Sequence, residues 1–335
     1  MILYILLNLK LYKNVKKKNF LSYIIACLIA VISWYYTNNF TVLRLLLLIA
    51  AIYTISFTKF LKVDLVIKIL LTLLLIILPV LGIMEYNYLL RADHSIRYSF
   101  GFNHPNSLSI YLIMIVFESF YIISVNNSKK MYIMMMTLVI PVLIIFIFFY
   151  ANSRMSALSL TVFYFANILK DIIPKNFRNK VIALKKFKFL VINLFGIFSL
   201  LTVITIIISY KNENILINFD KVFSNRYSNY IKFIKMFKVS LMGTEVPIKL
   251  GYGEYLDNMY LKLLINQGIC QYIIYYFIFY YSHKKAYYNK DYMYILIDLV
   301  ILMEGFTETN MIIPTINIFM LYFVADKGVI KYKNE

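Results

Sequence analysis

The chain has 335 residues, of which 61% are hydrophobic and only 15% charged, and its formal net charge is +19. A soluble domain of this length would carry roughly a quarter charged residues, so a soluble globular fold is excluded. The positive charge sits in short segments between apolar runs, where it marks one side of a membrane, so no nucleic-acid partner is expected.

The opening MILYILLNLKLY is too short for a cleaved signal peptide, and a lysine run follows it instead of a small-residue cleavage site. Residues 1–19 therefore read as a cytoplasmic or interfacial N-terminus. From residue 20 onward, ten apolar windows approach the ~20 residues that span a bilayer: 20–37, 42–58, 63–84, 108–125, 131–150, 154–169, 189–210, 257–282, 291–306 and 311–326. Windows 42–58, 154–169 and 291–306 are short for a span. Barrel strands are shorter and alternate, so only a helical bundle can satisfy the backbone of such runs in lipid. The expected fold class is all-α: a polytopic helical membrane protein with about ten transmembrane helices, residues 20–335 forming one integral membrane domain. Cys27 and Cys270 fall inside predicted spans and read as small apolar packing residues, with no CxxC pair.

If ten spans alternate, the basic segments at Lys10–Lys18, Lys59 and Lys62, Lys129 and Lys130, Lys170–Lys188, Lys284–Lys290 and Lys327–Lys333 all fall on one side. That side is cytoplasmic by the positive-inside rule. Both termini then lie inside, and two long loops, about 85–107 and 211–256, lie outside.

The first outer loop carries Arg97, His104 and Asn106 in SIRYSFGFNHPNSLSIYL. His104, just before Pro105, either caps a helix start or lines a cavity. YANSRMSALSL puts Arg154 at a helix entrance, with Asn152 or Ser153 as its cap and Ser156, Ala157 and Ser159 as a small-residue packing face. The second outer loop is itself basic. In NRYSNYIKFIKMFKVSL, Tyr230, Ile231, Ile234 and Phe237 recur at helical spacing, with Lys232, Lys235 and Lys238 on another side. The pattern predicts an amphipathic helix on the outer surface, facing either anionic head groups or a negatively charged substrate. Arginine is the bidentate partner of phosphate, which draws attention to Arg226. GYGEYLDNMYLKLLINQGI then places Asp257 and Asn258 at the first turn of a span, where Asp257 is also a good N-cap. EGFTETN supplies Glu304, Glu308 and Asn310. Three arginines from separate outer segments, Arg97, Arg154 and Arg226, can thus converge near His104 and several carboxylates. Glu118 and Asp298 fall inside predicted spans, where an acid is either a paired structural group or part of a transport path.

Four of these pieces, in this order, resemble the O-antigen polymerase and ligase family, the Wzy-type integral membrane glycan polymerases of bacterial capsule, exopolysaccharide and O-antigen clusters. They are GFNHPN (101–106), NSRMSAL (152–158), NRY (225–227) and GYG…DNMYLKLLINQGI (251–269), with GFTET (305–309) as a shorter fifth. The resemblance implies a GT-C-like architecture in the bacterial cytoplasmic membrane, with its active site on the outer face. It implies a glycosyltransferase that moves the growing glycan from undecaprenyl diphosphate to the non-reducing end of an incoming lipid-linked repeat unit. Asp257, His104, Arg226 and Arg154 would be catalytic, and Arg97, Asn106, Asn258, Glu308 and Lys232 would bind substrate. Related ligases show a His-Asn pair where this chain has Asp257-Asn258, which leaves the general base open among Asp257, His104 and a glutamate of the last outer loop. No cofactor or metal is expected. The expected partners are undecaprenyl-diphosphate-linked oligosaccharides, the bilayer, and the chain-length regulator and flippase of the same pathway. A ligase of the same family and a lipid-linked oligosaccharide flippase or transporter are the alternatives.

Overall fold

The computed structural model describes residues 17–53, 55–90, 95–174, 184–247 and 254–325, so the predicted N-terminal segment 1–16 and the GYG of 251–253 lie outside the described residues. In chain order the elements are α1 (Lys17–Thr37), α2 (Thr41–Ile52), α3 (Phe57–Val80), an antiparallel hairpin of β1 (Asn87–Leu90) and β2 (Ile96–Phe100), α4 (Pro105–Asn126), α5 (Lys129–Phe149) and α6 (Arg154–Ile172). Then come α7 (Lys185–Ile192), α8 (Leu194–Lys211), α9 (Glu213–Phe223), α10 (Arg226–Met236), the single turn α11 (Met259–Lys262), α12 (Ile269–Tyr288) and α13 (Tyr292–Glu304).

The structure is mainly helical. Among the described residues, five helices are long and apolar enough to cross a membrane: α1, α3, α4, α5 and α8. Their exposed rows fit lipid and not water. Along α3, for example, Val66, Leu70, Leu74 and Ile77 are 47–57% accessible. Water would penalise such a stripe, whereas hydrocarbon does not, so this is a membrane protein.

The other five predicted spans are not among these five helices: window 154–169 holds α6, window 291–306 holds α13 with only 13 residues, and three more take another form. The window 42–58 holds α2, a helix of only 12 residues. The window 257–282 is broken: α11 runs into a π-helical turn at Leu263–Gln267, and Gly268, at φ +89°, restarts the chain as α12. The window 311–326 does not form a long helix. It folds as 3₁₀ turns at Thr309–Ile312 and Ile318–Leu321, with Met311, Phe319, Met320 and Leu321 fully buried. Pro314 removes a backbone donor there, and the Asn317 side chain donates to the Met311 carbonyl at 3.0 Å, so local bonding competes with a helix.

The chain forms two compact units. The first takes the described parts of Met1–Phe57, Phe189–Asn289 and Gly305–Glu335; the second takes those of Thr58–Lys188 and Lys290–Glu304. In the first, the Phe195 ring of α8 stacks on Phe279 of α12 with centroids 4.8 Å apart. In the second, Phe163 of α6 packs against Phe117 and Phe120 of α4 at 4.9 and 5.2 Å. The hairpin of the second unit is pinned where the Gly101 N–H donates to the Leu75 carbonyl at 2.8 Å. A Cβ at Gly101 would lie 2.6 Å from that oxygen, so only glycine fits this approach.

Candidate active site

In the first unit, residues 305–308 run as a strap whose carbonyls are taken up in sequence. The Met259 N–H donates to the Gly305 carbonyl at 2.8 Å. The Tyr230 hydroxyl and the Asn258 amide both donate to the Phe306 carbonyl at 3.0 Å. Arg226 Nη1 donates to the Thr307 carbonyl. The Phe306 ring is held between Phe198 and Tyr260, with centroids 5.4 and 5.7 Å away. A strap with so many fixed points positions whatever follows it, and Glu308 follows it.

Arg226 opens α10 after two residues in the left-handed region, Ser224 at φ +55° and Asn225 at φ +62°. Its Nη2 lies 3.5 Å from Glu308 Oε1 and 3.8 Å from Asp257 Oδ2. The first distance is at the limit of a hydrogen bond; the second is an ion pair without one. The two carboxylates differ in access: the Glu308 side chain is 9% exposed and that of Asp257 35%. Asp257 is therefore the acid that an incoming group can reach. Burial raises its carboxyl above the ordinary range, while Arg226 and then Lys262 pull it back down. Asn258, not Asp257, caps α11, its Oδ1 accepting from the Leu261 N–H at 3.0 Å. The cap explanation of Asp257 is thus removed. Lys262 Nζ reaches Thr309 Oγ1 at 3.4 Å, and Lys232, exposed on α10, pairs with Glu254.

The second unit holds a polar chain of its own. Arg97 donates through Nη2 to Asn106 Oδ1 and through Nε to the Ala151 carbonyl at 3.2 Å. Ser153 Oγ donates to the same Asn106 oxygen at 3.2 Å and lies 3.0 Å from Ser156 Oγ. Ser156 donates to Glu304 Oε1 at 2.6 Å, and Ser159 donates to Glu304 Oε2. His104 is the N-cap of α4, its Nδ1 accepting from the Asn106 N–H at 3.1 Å. With Nδ1 accepting, the neutral ring carries its proton on Nε2 and presents a donor there, the wrong polarity for a base. Arg154 is exposed at the first residue of α6, whose start Ser153 occupies without a side-chain cap bond.

Of the residues named from sequence, Arg226, Asp257, Asn258 and Glu308 come together in the first unit, with Lys232 farther along α10. His104, Asn106 and Arg97 come together in the second, where Arg154 begins α6. Sequence reasoning did not find the backbone strap at 305–307, the Tyr230 anchor or the Glu304 acceptor of two serines. The small-residue face at Ser156 and Ser159 was visible, but its role as a donor pair was not. No protein-family model matches this chain, and no curated protein or solved structure shows significant similarity to it.

Proposed function

We propose that this protein is an oligosaccharide repeat unit polymerase of the bacterial cytoplasmic membrane, with a GT-C-like arrangement of about ten spans. It transfers the growing glycan from undecaprenyl diphosphate to an incoming lipid-linked repeat unit on the outer face. The observation that carries this reading is Arg226 poised between an accessible Asp257 and a buried Glu308.

The chemistry follows from that geometry. The acceptor hydroxyl oxygen attacks the anomeric carbon of the donor glycan, and the bond from that carbon to the phosphate oxygen breaks. The hydroxyl proton passes to Asp257, and the lipid diphosphate leaves with the bonding pair. Charge grows on the departing diphosphate, where a fixed guanidinium is worth most. The long Asp257 contact is the one that an arriving diphosphate displaces from Arg226. Once released, Asp257 loses the pull of its cation and becomes a stronger base at the moment it is needed. Glu308, held on the strap, keeps Arg226 in place.

In a strain lacking the gene, lipid-linked single repeat units should accumulate and the polymer ladder should vanish. The unmodified chain should restore it, while Asp257→Asn and Arg226→Ala, present at normal level in the membrane, should not. Long chains that never reach their final acceptor would instead indicate a ligase.

One observation favours a second reading, that of a flippase or transporter. Lys68 on α3 pairs with Asp64 at 2.5 Å and with Glu118 on α4, the latter fully buried inside an apolar helix. Single units trapped on the cytoplasmic leaflet in the deletion strain would decide for it.

A further inference from the structure

The first unit contains a groove of about 370 Å³ between α8 and α10, lined by Val203, Ile207, Tyr210, Ile231, Lys235 and Leu261 among others. Its walls are carbon except at one end. There the Lys235 ammonium sits 5.2 Å from the centre of the Tyr210 ring. We propose that this groove holds one hydrocarbon chain of an anionic phospholipid, with the head-group phosphate against Lys235.

Four observations converge on that occupant. First, one wall is α8, apolar and long enough to cross the bilayer, and its groove-side Ile207 is 49% accessible. A groove along such a helix opens to acyl chains and not to water. Second, Tyr210 and Lys211 end that helix, and tyrosine and lysine at the end of a span mark the head-group level. Third, the rim carries unbalanced positive charge. Lys232 is taken by Glu254, whereas Lys235 has no carboxylate in reach among the described residues. Fourth, a groove of about 370 Å³ with an apolar lining has room for a hydrocarbon chain and a charged group at one end only, as an anionic phospholipid presents them. The proposal does not depend on the proposed function being right.

The experiment uses the full chain in a neutral detergent, with phosphatidylglycerol or phosphatidylcholine added and bound lipid counted by native mass spectrometry. Phosphatidylglycerol should bind in preference. Lys235→Glu should weaken it by at least the roughly fivefold that one lysine near an anionic surface supplies, and leave phosphatidylcholine unchanged. Ile207→Trp, which fills the groove from an accessible position, should weaken both lipids. Equal binding of the two lipids, unaffected by either substitution, would overturn the proposal. So would undecaprenyl phosphate taking the groove in preference to phosphatidylglycerol.

Discussion

Arg226 is the residue on which most of the candidate site converges, because one guanidinium meets a backbone carbonyl and two carboxylates. Arg226→Ala takes one guanidinium away from the buried Glu308 and one donor away from the Thr307 carbonyl. An unmet buried group costs about 1–3 kcal/mol, so thermal unfolding in detergent should shift down as well as polymer being lost. Arg226→Lys restores the charge but not the fork. It should recover most of the stability and little of the activity, which separates holding the strap from binding a diphosphate. Asp257 yields a pH prediction. A base works only when ionised, and burial raises this carboxyl above the ~4 of a free aspartate. Activity should therefore rise with pH through a value above 4, and Asp257→Asn should abolish the limb along with the rate. A limb centred at or below 4 would remove Asp257 as the base. The acids and arginines of this cluster were legible in the sequence because charged residues are scarce in so apolar a chain. Their partners were not, since a backbone carbonyl such as that of Thr307 has no side-chain signature. Lys68 shows the same limit: Asp64 and Lys68 lie one helical turn apart in plain view, but nothing local points to Glu118, 50 residues away.

At the scale of elements, apolar run length found helices and missed their breaks. α1, α3, α4, α5 and α8 all fall on predicted windows, because run length is what a membrane-spanning helix requires. The window at 257–282 looked continuous, but tertiary contacts break it. The segment around Gly243 lies against the turn, with Thr244 N–H donating to the Ile265 carbonyl at 3.1 Å and Ile269 N–H to the Ser240 carbonyl at 3.0 Å. Gly268 was the only local hint. A Cβ there would come within 2.6 Å of the Met242 carbonyl carbon and 2.7 Å of the Leu241 oxygen, at φ +89°. Gly82, at φ +72°, has nothing within 4 Å of the same position. The two glycines thus separate conformational strain from collision. Gly82→Ala should cost only the left-handed penalty of about 1–2 kcal/mol. Gly268→Ala adds a clash with backbone that cannot rotate away, and should lower the melting temperature far more. Equal losses would mean that the packing of 240–244 on the break contributes nothing.

For the whole molecule, the decisive question is which side of the membrane each charged segment faces. The proposed chemistry needs Arg226 and Asp257 outside, where lipid-linked glycans meet their acceptors, yet the 211–256 region is basic and would sit inside by charge alone. What argues for the outside is the alternation of spans counted from lysine-rich segments, and that count included a window, 311–326, that folds as 3₁₀ turns. Placing 211–256 outside does not need that window, but it needs all seven apolar runs before residue 211 to cross once, and one of them, α2, is a helix of only 12 residues. Labelling tests this directly. With Cys27 and Cys270 replaced by alanine, single cysteines can be placed at three exposed lysines: Lys130 in the first turn of α5, Lys238 after α10, and Lys284 near the end of α12. Lys238→Cys should react with a membrane-impermeant maleimide on spheroplasts, and Lys130→Cys and Lys284→Cys only after lysis. The reverse pattern would put the Arg226 cluster in the cytoplasm. A transferase using an outer-leaflet lipid-linked glycan cannot work there, whatever the geometry of its arginine, so that single result would end the polymerase reading while leaving the fold and the lipid groove untouched.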